Sequence, residues 1–516
     1  MNGVTVPDLF FTLRYGDDAA GQLANAGGRA AASALGEASL TRLLGRLGVP
    51  GSPALALEYA AGNKGVRVYV EDGALPLPDS DVLRLHHLYG PADSPEGAGR
   101  VLAAVVARAA EASAAQLVGD RQNLRWIEAA LARHPEAEPI ARYAECTRAV
   151  LRALLAQGIA ITDVDTICRY LVEGLTSRRR TAAIAESLIA RLQPATLDIE
   201  IDPALAERLL PETGAGPRLA MELPETARAP FELLRDGLFH EAGVRIPPVR
   251  IVPAAELPAD AFRVRSGAVG WTPWPLPDQE QNALEYIALT AARDVRRNAG
   301  VLLDIDAVEG ALAELEGAFP ELVYAALEKV SATDLTRVLR KLLAGDVSIR
   351  NFRSILERLL VFDWVATDLS REIVFDTRLP VDCRLDPLHE PDLVDRLAEY
   401  VRSGLRTWIS YRSRGPDGTL RVRLLDPDTI ERPILDELAY RQAGGLGQPL
   451  GGERLDAIRQ AIADGGDEAP VALLTIPPVA SFLRDELRAS VPQVPVLSYQ
   501  ELAWDVTVEP VARISL

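Results

Sequence analysis

Between Leu151 and Leu171 the chain reads LRALLAQGIAITDVDTICRYL, and between Leu339 and Leu359 it reads LRKLLAGDVSIRNFRSILERL. Both ends are displaced equally, since 339 − 151 and 359 − 171 are each 188. Leu151, Arg152, Leu154, Leu155, Ala156, Ile161, Ile167 and Leu171 meet identical residues, while Ile159 and Val164 face Val347 and Phe352. The spacing predicts a helix, a tight turn and a second helix, written twice. An internal repeat decides how the rest of a chain is parsed. It directs the search for function toward how modules pack and assemble, and away from a single catalytic cleft.

The repetition extends upstream. Gly48-Val49 and Pro53 match Gly243-Val244 and Pro248 at a shared offset of 195. In each copy an amphipathic helix (Leu40 to Leu47; Phe231 to Ala242) leads through a Gly turn to an alternating strand, Ala54 to Tyr59 or Val249 to Val252. Alternation at period two is the strand signal. A second strand follows, Val66 to Val70 against Phe262 to Arg265, and then the same exit phrase, Pro76-Leu77-Pro78-Asp79 and Pro275-Leu276-Pro277-Asp278. Two alternate prolines cannot continue a central strand. Helical blocks are expected from Gly97 to Val118 and from Gln279 to Arg297, after which Ile127 to Ala132 mirrors Val308 to Ala313. Pro139 and Pro320 open the next helices, as Pro suits a first helical turn. The first copy closes with a helix from Thr181 to Leu192, and the second opens at once with a strand from Thr196 to Ile201 and an Asp202-capped helix. No Gly/Ser linker separates the copies, so they are expected to pack on each other.

From Pro391 onward nothing matches the first half. A helix from Pro391 to Ile409 is expected, with Trp408 placed in the core by its spacing from Leu397, Val401 and Leu405. Strand Leu420 to Leu425, a glycine-rich loop at Gly444 to Gly452, helix Glu453 to Ala463, strand Pro470 to Thr475, helix Val479 to Ser490 and a final strand Val494 to Leu497 follow. Strands alternating with helices indicate a small α/β layer. The fold class read from the sequence is therefore α/β and α+β multidomain: duplicated small α/β plus helical subdomains, then a C-terminal α/β layer. The expected boundaries are 1–96 and 97–194 for the first copy, 195–298 and 299–390 for the second, and 391–516 for the layer.

Charge and composition narrow the function. A net charge of −18 opposes nucleic-acid binding, because affinity for phosphates comes from Lys and Arg. The one short basic run, Arg178-Arg179-Arg180, reads as a helix flank. Cys146, Cys168 and Cys383 lie far apart in apolar surroundings and read as small buried thiols in a reducing compartment. No apolar run approaches a membrane span, and MNGVTVPDLFF lacks signal-peptide order.

The second copy and the C-terminal block resemble the cytoplasmic domain of the FHIPEP family, the large export-gate component of flagellar and virulence type III secretion systems. The resemblance rests on GVRIPPVRI (Gly243 to Ile251), LPADAFRVR (Leu257 to Arg265), VEGALAELEGAFPELV (Val308 to Val323) and VLRKLLAGDVSIRNFRSILERL (Val338 to Leu359). It continues through PDLVDRLAEYVRSGLR (Pro391 to Arg406), GTLRVRLLDP (Gly418 to Pro427) and VPVLSYQEL (Val494 to Leu502). It implies a cytoplasmic part of four subdomains that forms a ring beneath a secretion channel and receives chaperone–substrate complexes and other export-apparatus proteins. Leu197 to Arg297 would be the first subdomain, Val301 to Leu359 the helical third, and Pro391 to Leu516 the fourth. The family's membrane half has no match here. Its second subdomain, which shares in docking chaperones, is replaced between Val269 and Gln279 by GWTPWPLPDQ.

No catalytic or cofactor motif is evident. His86-His87 are adjacent and point apart, while His134, His240 and His389 stand without Cys or carboxylate at ligand spacing. There is no GxxxxGK[ST] loop, no GxGxxG after a strand and no GxSxG elbow. Glu309, Glu314, Glu316, Glu321 and Glu328 read as a solvated helix surface. Trp271 and Trp274, flanking prolines in the shortened loop, are the candidate protein-docking residues; the plainer reading is that they plug the gap left by the second subdomain.

The expectation is thus a non-enzymatic scaffold for protein binding or assembly linked to secretion. Catalytic, metal and cofactor sites are expected to be none. Its partners would be export-apparatus proteins or chaperone–substrate complexes, with self-association through the helical subdomains. Neither nucleic acid nor a membrane span is expected, and the location would be cytoplasmic at the periphery of a membrane-bound secretion complex. The alternatives are a scaffold detached from secretion and an enzyme with a site between the two copies.

Overall fold

The computed structural model describes residues 7–16, 26–60, 66–71, 73–90, 95–210, 216–277, 282–362, 391–442, 452–463, 471–488, 491 and 494–515. The chain forms two compact units, the first running to Asp306 and the second built from Ala307 onward.

Unit 1 begins with a strand the sequence reading passed over, β1 (Leu9–Tyr15). Its alternation buries Leu9, Phe11, Leu13 and Tyr15 and turns Phe10 outward. After α1 (Ala26–Leu47) come β2 (Pro53–Tyr59), β3 (Val66–Val70) and β4 (Gly73–Leu75), giving a sheet ordered β2-β1-β3-β4. Strand β1 runs parallel to β2 and antiparallel to β3. Helices α2 (Asp79–Tyr89) and α3 (Pro95–Ala112) follow. Small residues let α1 and α3 approach closely: a Cβ built on Gly99 would lie 3.5 Å from the Ala32 Cα.

The helical block comprises α4 (Asp120–Arg133), α5 (Glu138–Arg142), α6 (Ala144–Ala156), α7 (Val164–Thr176) and α8 (Thr181–Leu192). The basic run sits between α7 and α8, and Arg179 donates to Ser187 Oγ at 2.8 Å. A second sheet follows. Its strands are β5 (Leu197–Ile201), β6 (Arg218–Leu219), β7 (Val249–Pro253), β8 (Ala261–Ser266), β9 (Val269–Gly270) and β10 (Trp274–Pro275), with α9 (Pro203–Leu209), α10 (Glu225–Ala242) and α11 (Ala283–Arg297) around them. The main path is β10-β8-β5-β7-β6. Here β5 is parallel to β7 and antiparallel to β8, the arrangement β1 has with β2 and β3. Pro275 is tolerated because β10 is an edge strand.

Unit 2 contains α12 (Ile305–Glu316) from Ala307 on, then α13 (Pro320–Lys329), α14 (Ala332–Ala344) and α15 (Phe352–Leu360). It continues with α16 (Pro391–Gly404), α17 (Arg406–Ser413), β11 (Thr419–Leu425), α18 (Arg432–Gln442), α19 (Gly452–Ala463), β12 (Ala472–Thr475), α20 (Pro477–Arg488), β13 (Val496–Ser498) and β14 (Thr507–Ile514). These last strands form an all-parallel sheet, β13-β12-β11-β14.

Two expectations are corrected here. The strand at Val494 to Leu497 is not the final one: β14 follows at the sheet edge, where Pro510 is accommodated beside a register shift between Val422 and Arg423. The long helix does not run unbroken to Ile409 but divides at Leu405, between α16 and α17. That break changes the helical phase, so Trp408 is 38% exposed and lies outside the core. The glycine-rich loop from Gly444 to Gly451, together with His389 and Cys383, lies outside the described residues.

At the repeated unit the two copies adopt matching conformations. Gly158 and Asp346, equivalent at the 188 offset, both have positive φ (+73° and +56°). Asp163 accepts from Thr166 N at the start of α7, and Asn351 accepts from Ser354 N at the start of α15. Leu151, Leu154, Leu155, Ile167 and Leu171 are buried, as are their counterparts Leu339, Leu342, Leu343, Ile355 and Leu359.

In unit 1 this turn is pressed against the second sheet. Ala268 N donates to Gly158 O at 2.8 Å. A Cβ on Gly158 would fall 2.8 Å from Ser266 O, and one on Gly267 (φ +60°) would fall 2.6 Å from Gly158 O. Gly158→Ala and Gly267→Ala are each expected to destabilise unit 1 by about 1–3 kcal/mol. Gly45→Ala, in α1 with nothing within 4 Å of its Cβ, should stabilise by about 0.5–1 kcal/mol. Urea midpoints of the three variants check this; equal shifts for all three would contradict the packing.

Candidate interaction surfaces

The shortened loop that carries Trp271 and Trp274 is held by backbone and side-chain bonds on both flanks. Trp271 N donates to Val264 O at 2.8 Å, and the indole is buried. Trp274 pairs with Phe262 in β10–β8. Its Nε1 donates to Asp294 Oδ2 at 2.7 Å, and its half-buried ring lies between Arg84 (3.6 Å to the ring centre) and Arg293 (4.5 Å). Trp271 is buried and Trp274 half-buried. Both are parts of an internal joint.

That joint ties the first α/β module to the second. Arg108 of α3 donates to Thr272 Oγ1 at 3.0 Å and to Gly270 O at 2.8 Å. Gly270 N donates to Glu111 Oε1 at 2.8 Å, and Arg46 of α1 pairs with Glu111. Thr272 Oγ1 donates to Asp81, which also holds Arg84. On the adjoining sheet face, Glu200 takes Arg263 at 2.5 Å and Arg265 at 2.6 Å, and Glu256 takes Arg263 at 2.9 Å. Burial lowers the Arg46 pKa, whereas burial alone would raise Glu200, and the two arginines beside it hold its carboxyl below the ordinary range. Burial raises Asp294.

Unit 2 has a tighter cluster of the same kind. Arg402 is 3% exposed and pairs with fully buried Glu501; Arg484 Nη2 donates to both Glu501 oxygens at 2.9 Å and its Nη1 holds Glu399. Ser498 N adds a bond to Glu501 at 2.8 Å, while Arg402 Nη1 donates to Gly345 O at 3.1 Å. Lys341 bridges Asp395 (2.8 Å) and Asp485 (2.6 Å). Burial pushes Glu501 up, but Arg402 and Arg484 outweigh it and leave the carboxyl below its ordinary value; burial raises Glu399. The sequence offered no signal for these partners, because they are brought together only by the tertiary fold.

Other titratable residues stand apart from both clusters. Cys146 and Cys168 are buried, and burial pushes the Cys168 thiol up to about 11. His134, without a carboxylate at ligand spacing in sequence, is met in space by Asp165 at 2.8 Å and Glu136 at 3.4 Å. Glu309, Glu314, Glu316, Glu321 and Glu328 are all exposed. Among the described residues, no group of three or more His, Cys, Asp or Glu side chains is placed to hold a metal ion. No described helix is long and apolar enough to cross a membrane.

The fold and its charged joints define a multimodular α/β protein whose buried ionic groups connect modules. Residues 279–507 match the model of the FHIPEP family. It is 28% identical over 210 residues to low calcium response locus protein D of Yersinia pestis, covering 40% of this chain and 26% of that protein. It is 25% identical over 377 residues to the hypersensitivity response secretion protein HrcV of Ralstonia nicotianae, covering 71% of this chain and 47% of that protein. The chain thus spans between about a quarter and a half of these two relatives. The structure of the Chlamydia pneumoniae CdsV protein aligns over 62% of this chain and 97% of that chain, with a TM-score of 0.46 and 20% identity. It is also 24% identical over 228 residues to the flagellar biosynthesis protein FlhA of Bacillus subtilis, covering 43% of this chain and 30% of that protein.

Two variants test the joints. Glu501→Gln leaves buried Arg402 without its carboxylate and Arg484 with Glu399 alone, and is expected to cost unit 2 about 3–5 kcal/mol. Because the folded Glu501 pKa is lowered, its stabilisation is present above the unfolded glutamate value of about 4.3 and is lost as pH falls through the folded value. The raised Asp294 pKa has the opposite sign: unit 1 loses stability as pH rises through it, and Asp294→Asn flattens that slope. Hydrogen exchange of the full chain across pH reads both units separately.

Proposed function

We propose that the chain is a non-enzymatic protein-binding and assembly scaffold that works with a type III secretion apparatus at the cytoplasmic side of the membrane. The observation that carries this reading is the FHIPEP match over residues 279–507, which spans nearly all of unit 2. In that unit the helical block and the C-terminal layer are tied by Arg402, which donates to Gly345 O, and by Lys341, which bridges Asp395 and Asp485. The partners are export-apparatus components or chaperone–substrate complexes.

The N-terminal modules are a degenerate duplicate of the family's first and third subdomains, divided at 1–96, 97–194, 195–298, 299–390 and 391–516. The common strand arrangement of the two sheets, the paired left-handed turn residues and the paired Asx caps support this division. The duplicate's α2 and α3 sit on the loop where the family carries its second subdomain, through Arg84, Arg108 and Glu111. Trp274, stacked on Arg84, therefore helps to hold that module, while Trp271 is buried in the same loop. Fold-level analogy does not itself transfer chaperone docking to a chain that lacks the docking element.

Affinity purification of the tagged chain from its host is expected to recover export-apparatus proteins. Recovery of a stable complex without them would make it a scaffold detached from secretion. Self-association through the helical subdomains should appear in light scattering as mass above 55.7 kDa; a single mass at that value over a wide concentration range would remove it.

A further inference from the structure

Unit 2 displays aromatic groups at the junction of α17 and the segment after β13. Trp504 is 89% exposed, Trp408 38% and Tyr411 37%. They lie together: Trp408 and Tyr411 are one turn apart on α17, and the Tyr411 hydroxyl donates to Asp505 Oδ2 at 2.5 Å, next to Trp504. Guanidinium groups cover this surface, with Arg412 at 5.0 Å from the Trp408 ring centre and Arg414 at 4.0 Å from that of Tyr411. Arg406 is exposed on the same helix. The acidic members nearby are already engaged, Asp505 by Tyr411 and Asp417 by Arg421 at 2.6 Å. Below the patch the backbone is fixed, because Ser410 Oγ donates to Glu501 O at 2.7 Å and accepts from Ala503 N at 2.8 Å.

From this juxtaposition we infer that the α17 face, with Trp408, Tyr411 and Trp504 flanked by Arg412 and Arg414, docks an acidic peptide segment carrying an aromatic or aliphatic anchor. The inference rests on the scaffold reading and specifies the partner chemistry of its C-terminal layer. Charge complementarity identifies the occupant. In a chain of net charge −18, two arginines, Arg412 and Arg414, lie over exposed aromatic rings, and guanidinium forks suit bidentate carboxylate contacts. Exposed Trp, Tyr and Arg are also the residue types that dominate binding hot spots. A membrane surface fits less well. Polybasic lipid-binding segments gather about 4–8 Lys or Arg, and the acidic remainder of this chain opposes an anionic bilayer. Self-association is assigned to the helical subdomains, which leaves this face of the C-terminal layer to another partner.

Selection of a random dodecapeptide library on the purified full chain tests this. Enriched peptides should be rich in Asp and Glu and carry one or two aromatic or Leu residues. Their affinity should fall at least about tenfold with Trp504→Ala and with the Arg412→Glu/Arg414→Glu pair. Both variants should keep the parent circular dichroism and melting temperature, since these side chains are exposed. Enrichment of basic or neutral peptides, absence of enrichment, or unchanged affinity in both variants overturns the inference. Trp504-dependent sedimentation with phosphatidylglycerol vesicles would replace it with a membrane contact, and a Trp504-dependent rise in mass on ultracentrifugation with a second copy. Any of these outcomes leaves co-purification with export components, and hence the scaffold reading, standing or falling on its own.

Discussion

The architecture depends on a backbone carbonyl presented by the turn inside each helical repeat. A left-handed residue, Gly158 in one copy and Asp346 in the other, closes the turn and leaves carbonyls facing outward. In unit 1, Gly158 O is taken by Ala268 N of the second sheet; in unit 2, Gly345 O is taken by the Arg402 guanidinium. The following module in each copy is thus anchored to main chain, whose position does not depend on side-chain rotamers. At both contacts a glycine permits the close approach: a Cβ on Gly267 would fall 2.6 Å from Gly158 O, and one on Gly345 would meet the Arg402 guanidinium.

Around these anchors the charged residues are arranged to join modules. A buried ion pair gives little net stability over an apolar contact, but breaking one by removing a partner is costly. Glu111, Glu200 and Glu501 each satisfy two or more partners. The effect is to fix one relative placement within a unit, because a slipped arrangement would strand a buried carboxylate. The slim Ala- and Gly-lined contact between α1 and α3 is consistent with it.

Local order was legible in the sequence where it is written locally. The repeat offset gave α6–α7 and α14–α15 with their turns, and alternation gave β3, β8 and β11. Strand β1 was legible too, since Leu9, Phe11, Leu13 and Tyr15 alternate, but it lies before the recognisable repeat and was passed over. Strand β14 was concealed by Pro510, which is acceptable only because the strand is an edge with a register shift. Trp408 was misplaced because a periodicity argument assumes an unbroken helix, and the break at Leu405 depends on tertiary context. The ion clusters were not legible at all. Gly270 and Glu111 are 159 positions apart, Thr272 and Asp81 are 191, and Arg402 and Glu501 are 99. No spacing rule reaches across such distances. For the same reason Trp271 and Trp274 could be marked by residue type, while the burial of Trp271 and the bonds of Trp274 to Asp294 and Arg84 could be read only from the fold.

The central claim, that this chain serves protein secretion as a scaffold, is tested most directly in its host. Its gene would be deleted and restored, and type III substrates in the culture supernatant quantified against their cellular levels. The account predicts that deletion lowers the secreted fraction while cellular levels hold, and that the intact gene restores it. Unchanged secretion in the deletion strain would contradict the claim.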